Sequence, residues 1–177
     1  MAYTMKVIAR LHSDFPEKFG IPRQSGLVPA LRAKIVFEPE YRNPDALRGI
    51  EGFSHLWLIW QFSTAVRDTW SPTVRPPRLG GNERVGVFAT RSPHRPNPIA
   101  LTCCRILAVD AAAGLVQLED CDAEDGSPIL DIKPYAPSSD RVEHPSGPAW
   151  SAHWPGSLEE SAAYDWAREI DPSFEEK

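Results

Sequence analysis

The segment at residues 91–98 places two arginines and an amide among three prolines, in the order RSPHRPNP. A guanidinium group can bind a carboxylate or a phosphate through two parallel hydrogen bonds, and an amide adds both a donor and an acceptor. Because proline restricts the backbone before any ligand arrives, Arg91, Arg95 and Asn97 would lose little conformational freedom on binding. The segment therefore predicts a site for an anionic or carbonyl-bearing ligand.

A second candidate is the segment LDIKPY at residues 130–135. If it forms a strand, Asp131, Lys133 and Tyr135 share one face, since side chains alternate across a strand. Pro134 cannot donate a ladder hydrogen bond, which indicates the end or the edge of a sheet. The three polar side chains form either one wall of a polar site or a single ion pair beside a half-buried tyrosine, and the sequence leaves both interpretations open.

A third candidate is the segment GIPRQSG at residues 20–26. Pro22 predicts a rigid turn, Arg23 supplies a planar group with five donors, and Gln24 supplies an amide. The segment is either a binding loop or a surface loop with an incidental arginine.

The charges are unevenly distributed along the chain. The formal net charge is −5, but residues 67–105 carry seven arginines against two acids, whereas residues 106–177 carry four basic and sixteen acidic side chains. Overall acidity argues against general binding of nucleic acid, while a local cluster of cations suits a specific anionic partner. The loop at 67–84 therefore either contacts phosphates or carries solvated charges. Its outer arginines are Arg67, Arg75 and Arg78.

Common enzyme fingerprints are missing from the sequence. It has no GxGxxG turn of a dinucleotide-binding fold, no GxxxxGK[ST] phosphate loop, and neither GxSxG nor HExxH. The three cysteines do not suit a disulfide framework or a zinc site, so we expect reduced, buried thiols and no bound metal. No apolar run approaches the roughly 18 residues that span a bilayer, and no secretory signal is apparent, so we expect a cytoplasmic protein with no membrane partner.

Short apolar stretches between proline- and glycine-rich loops predict the strands that must position these candidates. The predicted strands are residues 6–11, 31–37, 53–62, 85–91, 99–109, 115–121 and 129–135. The stretch 53–62 is uncharged, which is typical of a strand buried on both faces. The strand at 85–91 would carry Arg91 at its end, and the pair 99–109 and 115–121 predicts a hairpin.

Few helices are expected. Asn43 followed by proline predicts the start of a short helix, and SLEE at 157–160 predicts a capping box. The latter would begin a C-terminal helix over about 157–171 that packs Trp166 against the body. The predicted fold class is mainly β, a barrel-like domain of about six or seven strands with short helices and a C-terminal helix, distinct from the Rossmann type.

Four motifs together resemble one known family. GIPRQSGL, EGFSHLWLIWQF, PTVRPPRLGGNERVGVFATRSPHRPNPIALT and DGSPILDIKPY occur in this order, and over roughly residues 5–137 they are similar to the TrmO (TsaA-like, YaeB) family of S-adenosylmethionine-dependent tRNA methyltransferases. The resemblance implies a β-barrel enzyme that works as a homodimer, with the cofactor near the subunit interface. It also implies methylation of N6 of threonylcarbamoyladenosine next to the anticodon of threonine tRNA.

The same resemblance implies a domain division and a set of site residues. Residues 1–137 would be the methyltransferase domain and 138–177 an acidic C-terminal extension. Ala100 occupies the position where the family usually has glycine. The implied cofactor-binding residues are Pro22, Arg23, Gln24, Ser63, Thr64, Arg91, Leu101, Asp131, Ile132, Lys133 and Pro134.

The reaction assigns a role to several of these side chains. N6 of the substrate belongs to a urea, so its lone pair is delocalised and a base must remove its proton. Asp131 is the first candidate and Tyr135 the second, and Asp131 could instead hold the cofactor's ammonium group. Arg91 or Arg23 would bind the cofactor's carboxylate. Arg95 or Lys133 would bind the threonyl carboxylate or a phosphate, and Asn97 stands beside Arg95 in the catalytic set.

Two other functions remain open from the sequence. The chain could be a methyltransferase of the same fold that acts on another acceptor, since the cofactor motifs are clearer than any feature that names the acceptor. It could also be a non-catalytic module that binds S-adenosylmethionine.

Overall fold

A computed structural model describes residues 4–15, 28, 30–76 and 83–166. Its strands, in chain order, are β1 (Ala9–Ser13), β2 (Ala33–Phe37), β3 (His55–Gln61), β4 (Thr73–Val74), β5 (Val85–Gly86), β6 (Ile99–Asp110), β7 (Leu115–Leu118) and β8 (Pro128–Pro134). Six of them close into an antiparallel barrel in the order β1-β2-β7-β6-β3-β8, while β4 and β5 pair separately. The predicted mainly β, barrel-like fold is confirmed.

Alternation along the strands fills the barrel interior. Leu11, Ile35, Leu56, Leu58 and Ile129 are completely buried there. The prediction that the segment at 53–62 is buried on both faces is wrong, because only alternate residues of β3 are buried and those between are half-buried. A closed barrel has one interior, so the outer face of β3 is covered only where other segments cross it.

The predicted strand at 85–91 is also wrong beyond its second residue. After β5 the chain enters one 3₁₀ turn, Val87–Ala89. The Thr90 hydroxyl donates to the Val87 carbonyl at 2.8 Å and the Thr90 amide donates to the same oxygen. A threonine that bonds to the local backbone competes with strand pairing. Arg91 therefore follows a turn rather than a strand end.

The hairpin of β6 and β7 is confirmed, with a left-handed Gly114 (φ 61°) completing its turn. β6 is long enough to pair with two strands. It pairs with β3 through Ile99–Arg105 and with β7 from Ile106 onward. Within the described ranges, no strand pairs with the other edge of its first half. That free edge is where the cavities described below begin.

The helices are short. α1 (Pro44–Leu47) begins as predicted, with the Asn43 side chain accepting from the Asp45 amide. α2 (Pro137–Asp140) follows the last barrel strand, and α3 (Leu158–Ala162) begins with the Ser157 hydroxyl accepting from the Glu160 amide.

The C-terminal helix ends earlier than the predicted residue 171. Residues 163–166 are not helical, and 167–171 lie outside the described residues. The Trp166 indole donates to the Ser161 carbonyl at 3.0 Å, and its ring packs on Tyr164 and Trp154. A side-chain donor at this carbonyl takes the place of the next turn of helix.

Candidate functional site

A cavity of about 790 Å³ opens at the free edge of β6. Its floor comes from the barrel, where Trp60 and Thr102 face the interior, and its rim comes from the RSPHRPNP segment. Ala100, which lies opposite Trp60 in the ladder, also lines it. The residues around it are Trp60, Phe62, Phe88, Arg91, Arg95, Pro96, Asn97, Ile99, Ala100, Leu101, Thr102 and Asp122.

Local hydrogen bonds hold the rim in place. The Arg95 guanidinium donates to the Thr90 carbonyl at 3.1 Å, and the Ser92 amide donates to the Thr90 hydroxyl at 3.2 Å. The Ile99 amide donates to the Asn97 carbonyl at 2.7 Å as β6 begins. The rim is therefore ordered by bonds within its own segment, which is the pre-organisation that the three prolines predict.

A second cavity, of about 900 Å³, lies between the outer face of the barrel and the C-terminal residues. The barrel side includes Trp57, Leu101, Cys103 and Tyr135, and residues 140–145 and 156–159 form the opposite wall. Both cavities have Arg91, Leu101, Thr102 and Asp122 among their lining residues. The two spaces are thus neighbours that share one wall.

Asp122 is the carboxyl group of this shared wall, and sequence reasoning did not identify it. The Trp60 indole donates to the Thr102 hydroxyl at 3.0 Å, and that hydroxyl donates to Asp122 Oδ1 at 2.8 Å. Burial raises the pKa of Asp122, and this exceeds the opposing effects of the Thr102 hydrogen bond and the Arg91 charge. A desolvated carboxylate with a raised pKa is a stronger base than an exposed one.

The strand β8 places Asp131 and Lys133 on the outer face, as the alternation predicts. Their side chains form an ion pair at 2.7 Å, and Asp131 also accepts from the Ile132 amide. The partner of Asp131 across β3 is Ile59, whose partner on β6 is Leu101, so the Cα atom of Asp131 lies two strand spacings, about 10 Å, from that of Leu101. Neither charged residue lines either cavity.

Tyr135 continues the same face and does line the second cavity. It is half-buried, and its ring packs against His55 and Trp57 at centroid distances of 6.4 and 5.8 Å. Both interpretations of this segment therefore apply in part: an ion pair is present, and the tyrosine is a wall of a polar space. On the opposite face, Ile132 pairs with the buried Leu58 and Pro134 with Leu56.

The remaining predicted cofactor residues are more scattered. Ser63 and Thr64 form an exposed 3₁₀ turn directly after β3 and line neither cavity. Pro22, Arg23 and Gln24 lie outside the described residues. The structure therefore brings together Arg91, Arg95, Asn97 and Leu101 at the first cavity, and Arg91, Leu101 and Tyr135 at the second.

The three cysteines are reduced thiols that are buried or half-buried. Cys104 and Cys121 are buried, while Cys103 is half-buried at the second cavity. Burial raises the pKa of Cys103 to about 11, so its thiol stays protonated at neutral pH. In the part of the chain that the structure describes, no three His, Cys, Asp or Glu side chains cluster as metal ligands, and none of the helices is long and apolar enough to cross a membrane.

A small antiparallel barrel with an arginine-lined cavity at its open edge is typical of a β-barrel enzyme. This architecture is distinct from the doubly wound nucleotide-binding sheet. The sequence model of the tRNA-methyltransferase O N-terminal domain matches residues 10–141, and the chain belongs to this family. The resemblance noted in the sequence is thereby confirmed.

Named relatives agree with this assignment. The chain is 42% identical over 143 residues to the tRNA (adenine(37)-N6)-methyltransferase of Escherichia coli K12, covering 80% of this chain and 61% of that protein. It is 36% identical over 137 residues to a probable S-adenosyl-L-methionine-binding protein of Pyrococcus abyssi, covering 77% and 70%. The crystal structure of TrmO from Pseudomonas aeruginosa superposes with a TM-score of 0.69 at 38% identity, covering 82% of this chain and 61% of that one. The chain thus spans about three fifths of the E. coli relative.

Proposed function

We propose that this chain transfers a methyl group from S-adenosylmethionine to N6 of threonylcarbamoyladenosine next to the anticodon of threonine tRNA. The observation that carries the proposal is the wall shared by the two cavities. There Asp122, a carboxyl group whose pKa is raised by burial, lies beside Arg91. Family membership and the functions for which the relatives are named support it.

The residues of the second cavity fit the cofactor. When bound, S-adenosylmethionine supplies an electrophilic methyl group on a sulfonium. Arg91 offers a partner for its carboxylate, and Trp57 and Leu101 offer apolar surface for its adenine. The acidic side chains Asp140 and Glu143 suit the two positive charges of the ligand.

Further cofactor contacts follow from the family resemblance and belong to the proposal. Asp131, Ile132, Lys133 and Pro134 lie on the strand next to β3, two strands from Leu101. Ser63 and Thr64 follow the end of β3. The contacts of Pro22, Arg23 and Gln24 would come from outside the described residues.

Asp122 is the better candidate for the base that accepts the N6 proton. Asp122 lines both cavities, and desolvation strengthens its carboxylate as a base. Asp131 forms an ion pair with Lys133 at 2.7 Å and lines neither cavity. We therefore assign proton removal to Asp122 and a positioning role to Asp131, with Tyr135 at the edge of the cofactor space.

The substrate enters from the first cavity in this arrangement. Arg95 and Asn97 stand at its rim, where they can bind the threonyl carboxylate and the carbonyl of the urea. Lys133 is the alternative partner of that carboxylate. The rings of Trp60 and Phe62, 4.4 Å apart at their centroids, give this cavity an apolar floor.

The proposal also includes the setting of the reaction. The homodimer that the family resemblance implies belongs to the proposal, and its partner would cover the outer face of the barrel, where Leu101 is 47% exposed. Residues 1–137 would be the catalytic domain and residues 138–177 an acidic extension, of which residues 140–145 and 156–159 form the outer wall of the cofactor cavity. We place the reaction in the cytoplasm.

Two measurements test the function. Calorimetry with S-adenosylmethionine should show binding. When an anticodon stem–loop RNA carrying threonylcarbamoyladenosine is added, the bound cofactor should be converted to S-adenosylhomocysteine. The same RNA without the threonylcarbamoyl group is the control. Equal turnover on both RNAs would indicate another acceptor, and heat of binding without product would indicate a non-catalytic module.

A further inference from the structure

Two large aromatic side chains stand exposed beside the first cavity. Phe88 is 71% exposed and Trp70 is 51% exposed, so neither contributes much to the core. Their ring centroids are 6.0 Å apart, and the ring planes are inclined by 32°. A pair of large tilted rings in contact and open to solvent forms an exposed apolar patch, which is typical of a binding surface.

The backbone that presents Phe88 is firmly held. Its neighbour Val87 is 1% exposed and donates its amide to the Pro72 carbonyl at 2.9 Å. The pairing of β4 with β5 joins the segment after Trp70 to the segment before Phe88. The two rings are thus presented on a prearranged support, which lowers the cost of ordering them on binding.

Arg95 connects these rings to the cavity. Its guanidinium lies 5.9 Å from the centroid of the Phe88 ring, while its donation to the Thr90 carbonyl fixes its position. Phe88 and Arg95 both line the first cavity. We name Trp70, Phe88 and Arg95 together the aromatic surface, and it begins where the rim of the cavity ends.

The surrounding charge indicates what this surface binds. Between residues 67 and 97 the described residues include five arginines against two acids, Asp68 and Glu83. A twofold contact between two copies centred here would bring like charges together. Unpaired RNA suits both the exposed rings and the surrounding positive charge, since its bases stack on aromatic rings and its phosphates pair with arginine.

We propose that the aromatic surface stacks an unpaired nucleobase that flanks the methylated adenosine in the RNA. The inference rests on the proposed function, because the adenosine must enter the first cavity for its neighbour to reach Phe88. Stacking of the neighbour on the Phe88 and Trp70 rings would hold the target nucleotide at the rim, in addition to the contacts that Arg95 and Asn97 make to the target itself.

The test is binding of a fluorescent anticodon stem–loop RNA carrying threonylcarbamoyladenosine, measured without cofactor. Phe88→Leu and Trp70→Leu should each weaken binding by about five- to a hundredfold, the range for loss of one base–aromatic stack. Phe88→Tyr should bind within about twofold of the parent protein, because the ring is kept. Phe53→Leu, which removes another exposed phenylalanine outside this surface, is the matched control.

An abasic RNA sharpens the experiment. Removing the base that stacks on Phe88 should weaken binding of the RNA to the parent protein. With this abasic RNA, Phe88→Leu should cause no further loss of affinity, because the two changes remove the same contact. Unchanged affinity of both leucine variants for the intact RNA would overturn the proposal. So would a shift from dimer to monomer in sedimentation that accounts for the loss, since the surface would then join two copies.

The outcome is separable from that of the proposed function. If the parent protein binds RNA through Phe88 but forms no S-adenosylhomocysteine, the methyl-transfer proposal fails and the aromatic surface stands. If the parent protein methylates the RNA while the leucine variants bind it normally, the aromatic surface alone is excluded.

Discussion

The two cavities share one wall, and their outer walls carry opposite charges. The outer wall of the first carries Phe88, Arg95 and Asn97, whereas that of the second carries Asp140, Glu143 and Glu159 against Arg141. An RNA phosphate would be attracted to the first wall and repelled by the second. A cofactor with a sulfonium and an ammonium group has the opposite preference.

This difference indicates how one small barrel can keep two ligands apart. In the proposed reaction, the reacting atoms would meet at Asp122 and Arg91, the charged groups common to both spaces. The two ligands would then arrive from different sides, because each outer wall favours one sign of charge. The uneven charge of the sequence, basic in the middle and acidic at the end, therefore corresponds to a spatial separation across one site.

The largest expected effect is at the shared wall. Asp122→Asn should lower the rate of methyl transfer by about 10²- to 10⁴-fold, the usual contribution of a positioned base. Asp131→Asn should stay within about tenfold, because that carboxylate lies in an ion pair away from both cavities. Single-turnover transfer to the threonylcarbamoylated stem–loop measures both rates.

Calorimetric affinity for S-adenosylmethionine is the control for this pair. It should change little in Asp122→Asn, so that the rate loss belongs to chemistry and not to binding. A larger rate loss in Asp131→Asn than in Asp122→Asn would reverse the assignment and restore Asp131 as the base.

An intermediate effect is expected at the basic side of the first cavity. Arg75 and Arg84 are exposed on the β4–β5 arm, where Arg84 donates to the Thr73 hydroxyl. Replacing both by alanine should weaken RNA binding about fivefold and reduce the slope of log affinity against log salt by about 1 to 2, as two phosphate contacts are lost.

The matched control removes two arginines elsewhere. Arg10 and Arg48 are exposed and paired with Glu38 and Asp45, and neither lines a cavity. Their double alanine variant should keep the salt slope of the parent protein. An equal change in both double variants would mean that only net charge matters, and the arm would not be part of the RNA footprint.

The sequence predicted the parts of this molecule that depend on neighbouring residues. The Asn43 cap, the β6–β7 hairpin and the ordered RSPHRPNP segment each follow from local backbone chemistry. It missed Asp122, whose importance comes from burial against Thr102, twenty positions earlier in the chain. In the sequence DCDAEDGSP that carboxylate looks like one of several solvated acids.

Two of the wrong predictions, those at 85–91 and 157–171, share one physical origin. The pattern at 85–91 suits a strand, but Thr90 satisfies the Val87 carbonyl locally and ends the pairing. The pattern at 157–171 suits a helix, but the Trp166 indole occupies the Ser161 carbonyl. In both places a side chain supplies the hydrogen bond that periodicity assigns to the backbone.

The smallest expected effect is on stability, again at Asp122. Because burial raises its pKa, the protonated form suits the native state better, so its contribution to stability is present below the ordinary aspartate pKa of about 3.9 and is lost as pH rises through the raised value. Asp122→Asn keeps an oxygen to accept from Thr102 without the charge. It should therefore stabilise the native state at pH 7 by up to about 1 kcal/mol, and the gain should shrink toward pH 4. Urea unfolding across this range measures the difference, with Asp131→Asn as the control for an exposed carboxylate. If Asp122→Asn is instead less stable than the parent protein at pH 7, the Asp122 charge stabilises the shared wall. That result would contradict the argument that burial disfavours the charged form of this carboxyl group.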